Sequence, residues 1–185
     1  MHISIIRNAL LALAFLPALA MGLGEVTGDF AKTEHRLAIT GRVSNDDERA
    51  LAGAKVNVDN GGELLGELIA DSKGRFSMQV DIGGLYGISI TQPGFVKKRF
   101  IVDSRTEKPE TMITGPFHAD ITLTREELLE GVDLDELDMP YALVSYSAEA
   151  KAFMADAAYI IEMQRLESSL MLGAARARKR AAEKK

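Results

Sequence analysis

The chain of 185 residues contains no cysteine and no tryptophan, and only three histidines. Without cysteine it forms no disulfide, thiolate nucleophile, zinc–thiolate site or acylated lipobox cysteine. The absence is compatible with an oxidising compartment but does not establish one. The few histidines also argue against a zinc site formed from histidine alone, because such a site usually needs three or four ligands brought together.

Recognisable catalytic patterns are also missing from the sequence. His118 falls on the outward face of a predicted strand, near Asp120, so an exposed polar strand residue is favoured over a metal ligand. Neither His35 nor His118 has neighbours that mark the base of a serine triad. No phosphate loop or dinucleotide fingerprint occurs. We therefore predict no catalytic, cofactor-binding or metal-binding residues, and expect that the protein is not an enzyme.

Charge and hydropathy narrow the class of partner. The net charge of −5 gives no sign of a nucleic-acid partner, which requires a clustered positive field. Apolar residues make up 46% of the chain, which is ordinary for a globular protein. Only the N-terminal segment has an apolar run long enough to be considered as a signal peptide or a membrane anchor.

The N-terminus has the features of a secretory signal. Arg7 supplies a positive charge, an apolar run follows, and Ala18-Leu19-Ala20 gives the small-x-small pattern that precedes a cut. We expect residues 1–20 to be removed by cleavage near Ala20 and the protein to be exported to the periplasm or cell surface. The alternative is an uncleaved anchor, for which the apolar run is short, since about 20 residues are needed to span a bilayer.

Residues 21–35 have the composition of a linker, and residues 36–123 predict β-structure. Apolar and polar side chains alternate there in seven short runs, which places one set of side chains on a buried face. Glycine-rich turns separate the runs. In Asp71-Ser72-Lys73-Gly74, for example, the aspartate can accept hydrogen bonds from the backbone and the glycine can take a positive φ. Strands at this spacing predict a mainly β fold, a sandwich or a barrel.

The pattern changes after Leu123. Residues 124–147 form an acidic connector with a weak strand signal near its end, and residues 148–185 predict a C-terminal α-helix with a basic end. The acidic run lacks the D-x-D-x-D-G calcium loop, so a solvated face is favoured over a calcium site. Three- and four-residue spacings place a set of side chains on one helix face, a candidate partner contact: Ala155, Tyr159, Met163, Leu166 and Leu170.

Four ordered phrases within the β region resemble the carboxypeptidase regulatory-like domain. They are Thr40-Gly41-Arg42-Val43, Leu51-Ala52-Gly53-Ala54-Lys55-Val56, Asp71-Ser72-Lys73-Gly74-Arg75-Phe76 and Gly94-Phe95. Two positions depart from the family pattern: Ala50 replaces a proline, and Phe95 replaces the common tyrosine. The resemblance implies a seven-stranded Greek-key β-sandwich of the transthyretin-like type, followed here by the C-terminal helix.

In the namesake enzymes this module is an accessory to a zinc peptidase domain, for which this chain is too short. In bacterial secreted proteins it is a spacer, adhesion or assembly element, and residues 134–164 resemble the tail of some small bacterial envelope proteins. The leading hypothesis is thus an exported, non-enzymatic envelope protein with a spacer or binding sandwich. The alternative is a carbohydrate- or peptide-binding module that uses loops at one sandwich end, and a hydrolase of unrecognised type ranks third.

Three roles remain open for the C-terminal helix. It can pack on its own sandwich, it can associate with a protein partner or a second copy, or its basic end can contact anionic lipid at the membrane surface. We rank them in that order. The apolar stripe is too irregular to predict a coiled coil, which requires several regular heptads.

Overall fold

A computed structural model describes residues 36–106 and 115–183 of the chain. The predicted signal peptide (1–20) and linker (21–35) lie outside the described residues. Within them, nine strands and one α-helix follow one another in chain order: β1 Arg36–Asn45, β2 Lys55–Asn60, β3 Glu63–Ile69, β4 Arg75–Asp81, β5 Leu85–Thr91, β6 Lys98–Asp103, β7 Phe117–Leu123, β8 Ala142–Ser147, β9 Ala152–Ala155 and α1 Ala157–Ala182.

The strands form two sheets that face one another. The smaller sheet has the order β4-β1-β7, and the larger has the order β3-β2-β5-β6-β8-β9. Most neighbouring strands are antiparallel, but β1 pairs in parallel with β7, and β6 pairs in parallel with β8. The predicted mainly β sandwich with a C-terminal helix is therefore confirmed.

The predicted strand number and helix boundary need correction. The weak strand signal near the end of the connector corresponds to β8, and β9 follows it without having been predicted, so the sandwich does not end at residue 123. The helix begins at Ala157 rather than at residue 148, because a tight turn with Lys151 at positive φ returns the chain into β9. Asp156 then caps the helix by accepting a hydrogen bond from the backbone N–H of Tyr159 at 3.0 Å.

The core lies between the two sheets and explains the alternation in the sequence. Its largest side chains with almost no exposure include Leu37, Ile39, Ile88 and Phe100. Gly41 on β1 has a steric role, because a Cβ there would lie 2.0 Å from the carbonyl oxygen of Ala119 and 2.7 Å from the Phe76 ring. Close packing between β1 and its neighbours thus explains the glycine of the Thr40-Gly41-Arg42-Val43 phrase.

The Asp71–Gly74 turn has the predicted geometry. The Asp71 carboxylate accepts hydrogen bonds from the backbone N–H groups of Lys73 and Arg75, each at 2.8 Å, and Gly74 has a φ of +73°. The carbonyl of Gly74 accepts from the N–H of Val43 at 2.7 Å, which ties the turn to β1. Chiefly because the carboxylate accepts the N–H of Arg75, its pKa falls from 3.8 to about 2.

This lowered pKa predicts a defined acid dependence of stability. A carboxylate whose pKa is lower in the folded chain stabilises the fold above its unfolded pKa, here 3.8, and that contribution is lost as the pH falls through about 2. We expect Asp71→Asn to lower the melting temperature at pH 6, with the gap to the wild type closing between pH 4 and pH 2. Asparagine keeps an acceptor oxygen for the turn. Melting curves that stay equally far apart throughout this range would contradict the assignment.

Candidate interaction surfaces

Helix α1 is docked on its own sandwich along one face. Ile160 packs against the core, Met163 is buried, and Ala174 is fully buried. The helix contacts β8 and a single helical turn, Glu126–Leu129, whose Leu129 is also buried. Packing on the sandwich, the first of the three roles left open by the sequence, is therefore what the helix does.

A cluster of polar side chains fastens the middle of the helix to the strand ends. The Lys98 ammonium lies 2.9 Å from the Glu167 carboxylate, and these side chains are only 12% and 13% exposed. The Thr124 hydroxyl donates to the other oxygen of Glu167. Lys98 also lies over the Tyr141 ring, 4.6 Å from its centre. We call these four residues the polar latch.

Of the five residues predicted to share one helix face, four lie in α1. Ala155 lies on β9, opposite Val144, and so is not part of the helix. Met163 lies in the docked face, whereas Tyr159, Leu166 and Leu170 remain half-buried beside it. Burial, together with the nearby charge of Glu162, raises the pKa of the Tyr159 hydroxyl.

The predicted stripe and the docked face overlap at Met163 but are centred on different sides of the helix. At about 100° per residue, the docked face follows Ile160, Glu167 and Arg178, about a quarter-turn from Leu166. Of the docked face the sequence pattern predicted only Met163, because a charged residue such as Glu167 does not count toward an apolar stripe. The signal that could have found it is the spacing of Ile160, Met163 and Ala174, which share this face.

The acidic connector lies beside the basic end of the helix. The Arg178 guanidinium donates to the backbone carbonyl of Glu127. Arg125 pairs with Asp46 and Asp47 at 2.7 and 3.2 Å, and this hydrogen-bonded arginine holds the pKa of the Asp46 carboxyl below its usual range. Within residues 36–106 and 115–183, no three His, Asp or Glu side chains are grouped as a metal site requires.

The outer face of the smaller sheet carries a polar grid, six side chains in two cross-strand rows. Pairing of β1 with its neighbours sets the rows: Ser77, Thr40 and His118 in one, and Arg75, Arg42 and Asp120 in the other. The Thr40 hydroxyl and the Nδ1 atom of His118 are 2.7 Å apart. An open depression in the protein surface covers this grid. None of these residues was singled out as a site from the sequence, except His118, which was assigned to an exposed strand position.

Comparison with known proteins gives structural likenesses only. No family model matches the chain, and no curated protein matches it. Hydroxyquinol 1,2-dioxygenase from Pseudomonas putida is 14% identical, with a TM-score of 0.39 over 64% of this chain and 67% of that one. For 3-chlorocatechol 1,2-dioxygenase from Rhodococcus opacus the values are 12%, 0.40, 64% and 72%. BcpA, the major pilin subunit of Bacillus cereus, is 20% identical, with a TM-score of 0.37 over 48% of this chain and 29% of the pilin.

These likenesses correct one prediction from the sequence. The expectation that the protein is not an enzyme is wrong, because dioxygenases stand among the structures that resemble it, so a β-sandwich gives no ground for excluding catalysis. At these identities and TM-scores, however, the likeness assigns no activity or ligand to this chain. The described part of the chain has no helix that is both long and apolar enough to cross a membrane.

Proposed function

We propose that the protein is an exported envelope protein whose sandwich, a carboxypeptidase regulatory-like module, is a rigid support for self-association through helix α1. Export rests on the signal-like segment that ends near Ala20, and the module on the four ordered phrases in the sequence. The main support for self-association is the way in which the helix is docked. One face of α1 is fixed to the sandwich, and a strip formed by Tyr159, Leu166 and Leu170 beside that face stays half-exposed.

Immobilisation makes this strip a better contact surface than a free helix would offer. A helix of 26 residues is about 39 Å long, and the sandwich has already fixed its position and rotation. Association then costs less conformational entropy, because the contact side chains sit on an ordered element. The proposed contact is a second copy of the helix, packed antiparallel about a two-fold axis.

Charge complementarity favours a second copy over an unrelated partner. The exposed acidic residues Asp156 and Glu162 lie toward the start of the helix, and exposed basic residues lie near its end, among them Arg176 and Arg180. An antiparallel pair brings the acidic part of each helix close to the basic part of the other. Exposed ion pairs of this kind favour one orientation more than they add affinity.

The test is the mass of the purified chain in solution, with substitutions that leave the docked face intact. We expect the wild type to behave as a dimer in multi-angle light scattering, and Leu166→Glu with Leu170→Glu to behave as a monomer, because a charge cannot be buried in the contact without a partner. The matched control is Leu172→Glu. Leu172 is 51% exposed on the far side of the helix and should leave the dimer unchanged.

Circular dichroism separates loss of association from loss of folding, since the double variant should keep the wild-type spectrum and a cooperative melting transition, lowered only by the stabilisation that the dimer supplied. A monomeric wild type at all concentrations tested would overturn self-association. So would a dimer that survives both strip substitutions. A second protein that co-purifies in place of the dimer would also count against a second copy as the occupant of the strip.

A further inference from the structure

The polar grid contains an unusual juxtaposition of positive charge. Arg42 on β1 lies directly opposite Arg75 on β4, both pointing outward. Like charges directly opposite on neighbouring strands destabilise a sheet. A second open depression adjoins the first, shares these two arginines and adds Lys73 and Ser72 from the Asp71–Gly74 turn. Three cations therefore converge on one surface of a chain whose net charge is −5.

Two of these cations have no carboxylate partner within the described chain. Arg75 pairs with Asp71 at 2.8 Å. The Arg42 guanidinium donates only to the backbone carbonyl of Glu48, at 3.2 Å, and no ion pair involves Lys73 in residues 36–106 and 115–183. The Asp71 carboxylate therefore compensates the charge of Arg75, whereas Arg42 and Lys73 keep no ion pair within the described residues and can serve an external anion.

The surface around these charges is held rigidly. Gly74 is packed so closely that an added Cβ would lie 2.3 Å from the carbonyl oxygen of Val43. The Asp71 carboxylate fixes the turn through two backbone N–H groups. Lys73 is therefore presented beside Arg42 by a turn with little freedom, as a preorganised binding surface requires.

The polar side chains beside these cations indicate which class of anion the surface can bind. Ser77, Thr40 and His118 supply hydroxyl and imidazole groups that donate and accept hydrogen bonds, and Asp120 supplies an acceptor beside Arg42. A simple anion has no use for a carboxylate in its site, whereas a sugar donates its hydroxyls to one. An acidic peptide added as a strand would pair at one edge, β4 or β7, and would leave the side chains of the opposite edge two strands away.

We propose that the outer face of the β4-β1-β7 sheet binds an acidic saccharide, with Arg42 and Lys73 holding a sugar carboxylate and Ser77, Thr40, His118 and Asp120 bonding the ring hydroxyls. The ligand lies across the three strands rather than along one edge. This site is separate from the helix strip, so it does not depend on self-association. It also differs from the loop-based sugar site considered from the sequence.

The full chain is titrated by calorimetry at low ionic strength with a tetramer of galacturonic acid. We expect binding that weakens as salt is added, because the carboxylate contacts are exposed to screening. Arg42→Gln should weaken it at least about tenfold, the usual value of a hydrogen bond to a charged group. Lys55→Gln, an exposed cation on the larger sheet, should change it less than about twofold.

Two further probes separate a saccharide from a bare anion. The fully methyl-esterified tetramer should not bind, and inorganic phosphate should bind far more weakly than the acid tetramer. Ser77→Ala should weaken the tetramer but not phosphate, because only the sugar uses the hydroxyl row. No heat with the acid tetramer, an equal affinity for phosphate, or an Arg42→Gln variant that binds like the wild type would each overturn the proposal.

Discussion

Glu167→Ala is expected to lower the free energy of unfolding by about 3 kcal/mol, because it leaves the Lys98 ammonium buried without its partner. Both side chains of the pair are nearly nine-tenths covered, and the Thr124 hydroxyl loses its acceptor as well. Glu162→Ala is the matched control. It removes an exposed carboxylate from the same helix and should cost less than about 0.5 kcal/mol. Urea unfolding followed by circular dichroism measures both.

A double substitution separates the latch from simple packing. Replacing Lys98 by Met and Glu167 by Leu removes both charges and keeps apolar volume, which is often neutral or stabilising for a buried pair. We therefore expect this variant to recover most of the stability that Glu167→Ala loses. If Glu167→Ala costs no more than Glu162→Ala, the helix is not fastened by the latch, and a fixed strip on α1 loses its support.

The latch shows which part of the structure the sequence could predict. Alternation with a period of two, together with the turns between the runs, predicted the seven strands of residues 36–123, because most of them bury one face in a common core, although β3 is largely exposed. Asp71 and Gly74 likewise had a local signature. Docking of the helix depends instead on Glu167 reaching Lys98, 69 residues away. A charged residue inside an apolar stripe carries no sign of a distant partner, so the predicted face included Met163 but not Glu167.

The polar grid could not be predicted from the sequence, for a related reason. Arg42 and Arg75 become neighbours only through the register of β1 with β4, and His118 joins Thr40 only through the parallel pairing of β1 with β7. Each residue by itself has the pattern of an exposed strand position, which is how His118 was interpreted. The candidate site therefore depends on strand register, and register is not readable from one sequence when pairing strands are far apart in the chain.

The largest effect is expected from Phe153→Ala in β9. This side chain is 6% exposed and packs edge-to-face on Tyr146, with ring centres 5.6 Å apart. Truncating a buried phenylalanine removes its transfer free energy and leaves a cavity, at a typical cost of 3–5 kcal/mol. The adjacent Met154 is 51% exposed on the opposite face of the same strand, so Met154→Ala should cost less than about 0.5 kcal/mol.

This pair of variants measures how much β8 and β9, which extend the sandwich beyond Leu123, contribute to its stability. The connector gave only a weak strand signal where β8 lies, and the alanine-rich composition hid β9, since the local preference there favours helix. Yet β8 covers the edge of β6, where Phe100 and Val102 are buried. A Phe153→Ala loss near that of Met154→Ala would make β8 and β9 an appendage. A loss of several kcal/mol makes them core strands, and a chain ending at Leu123 should then fail to fold.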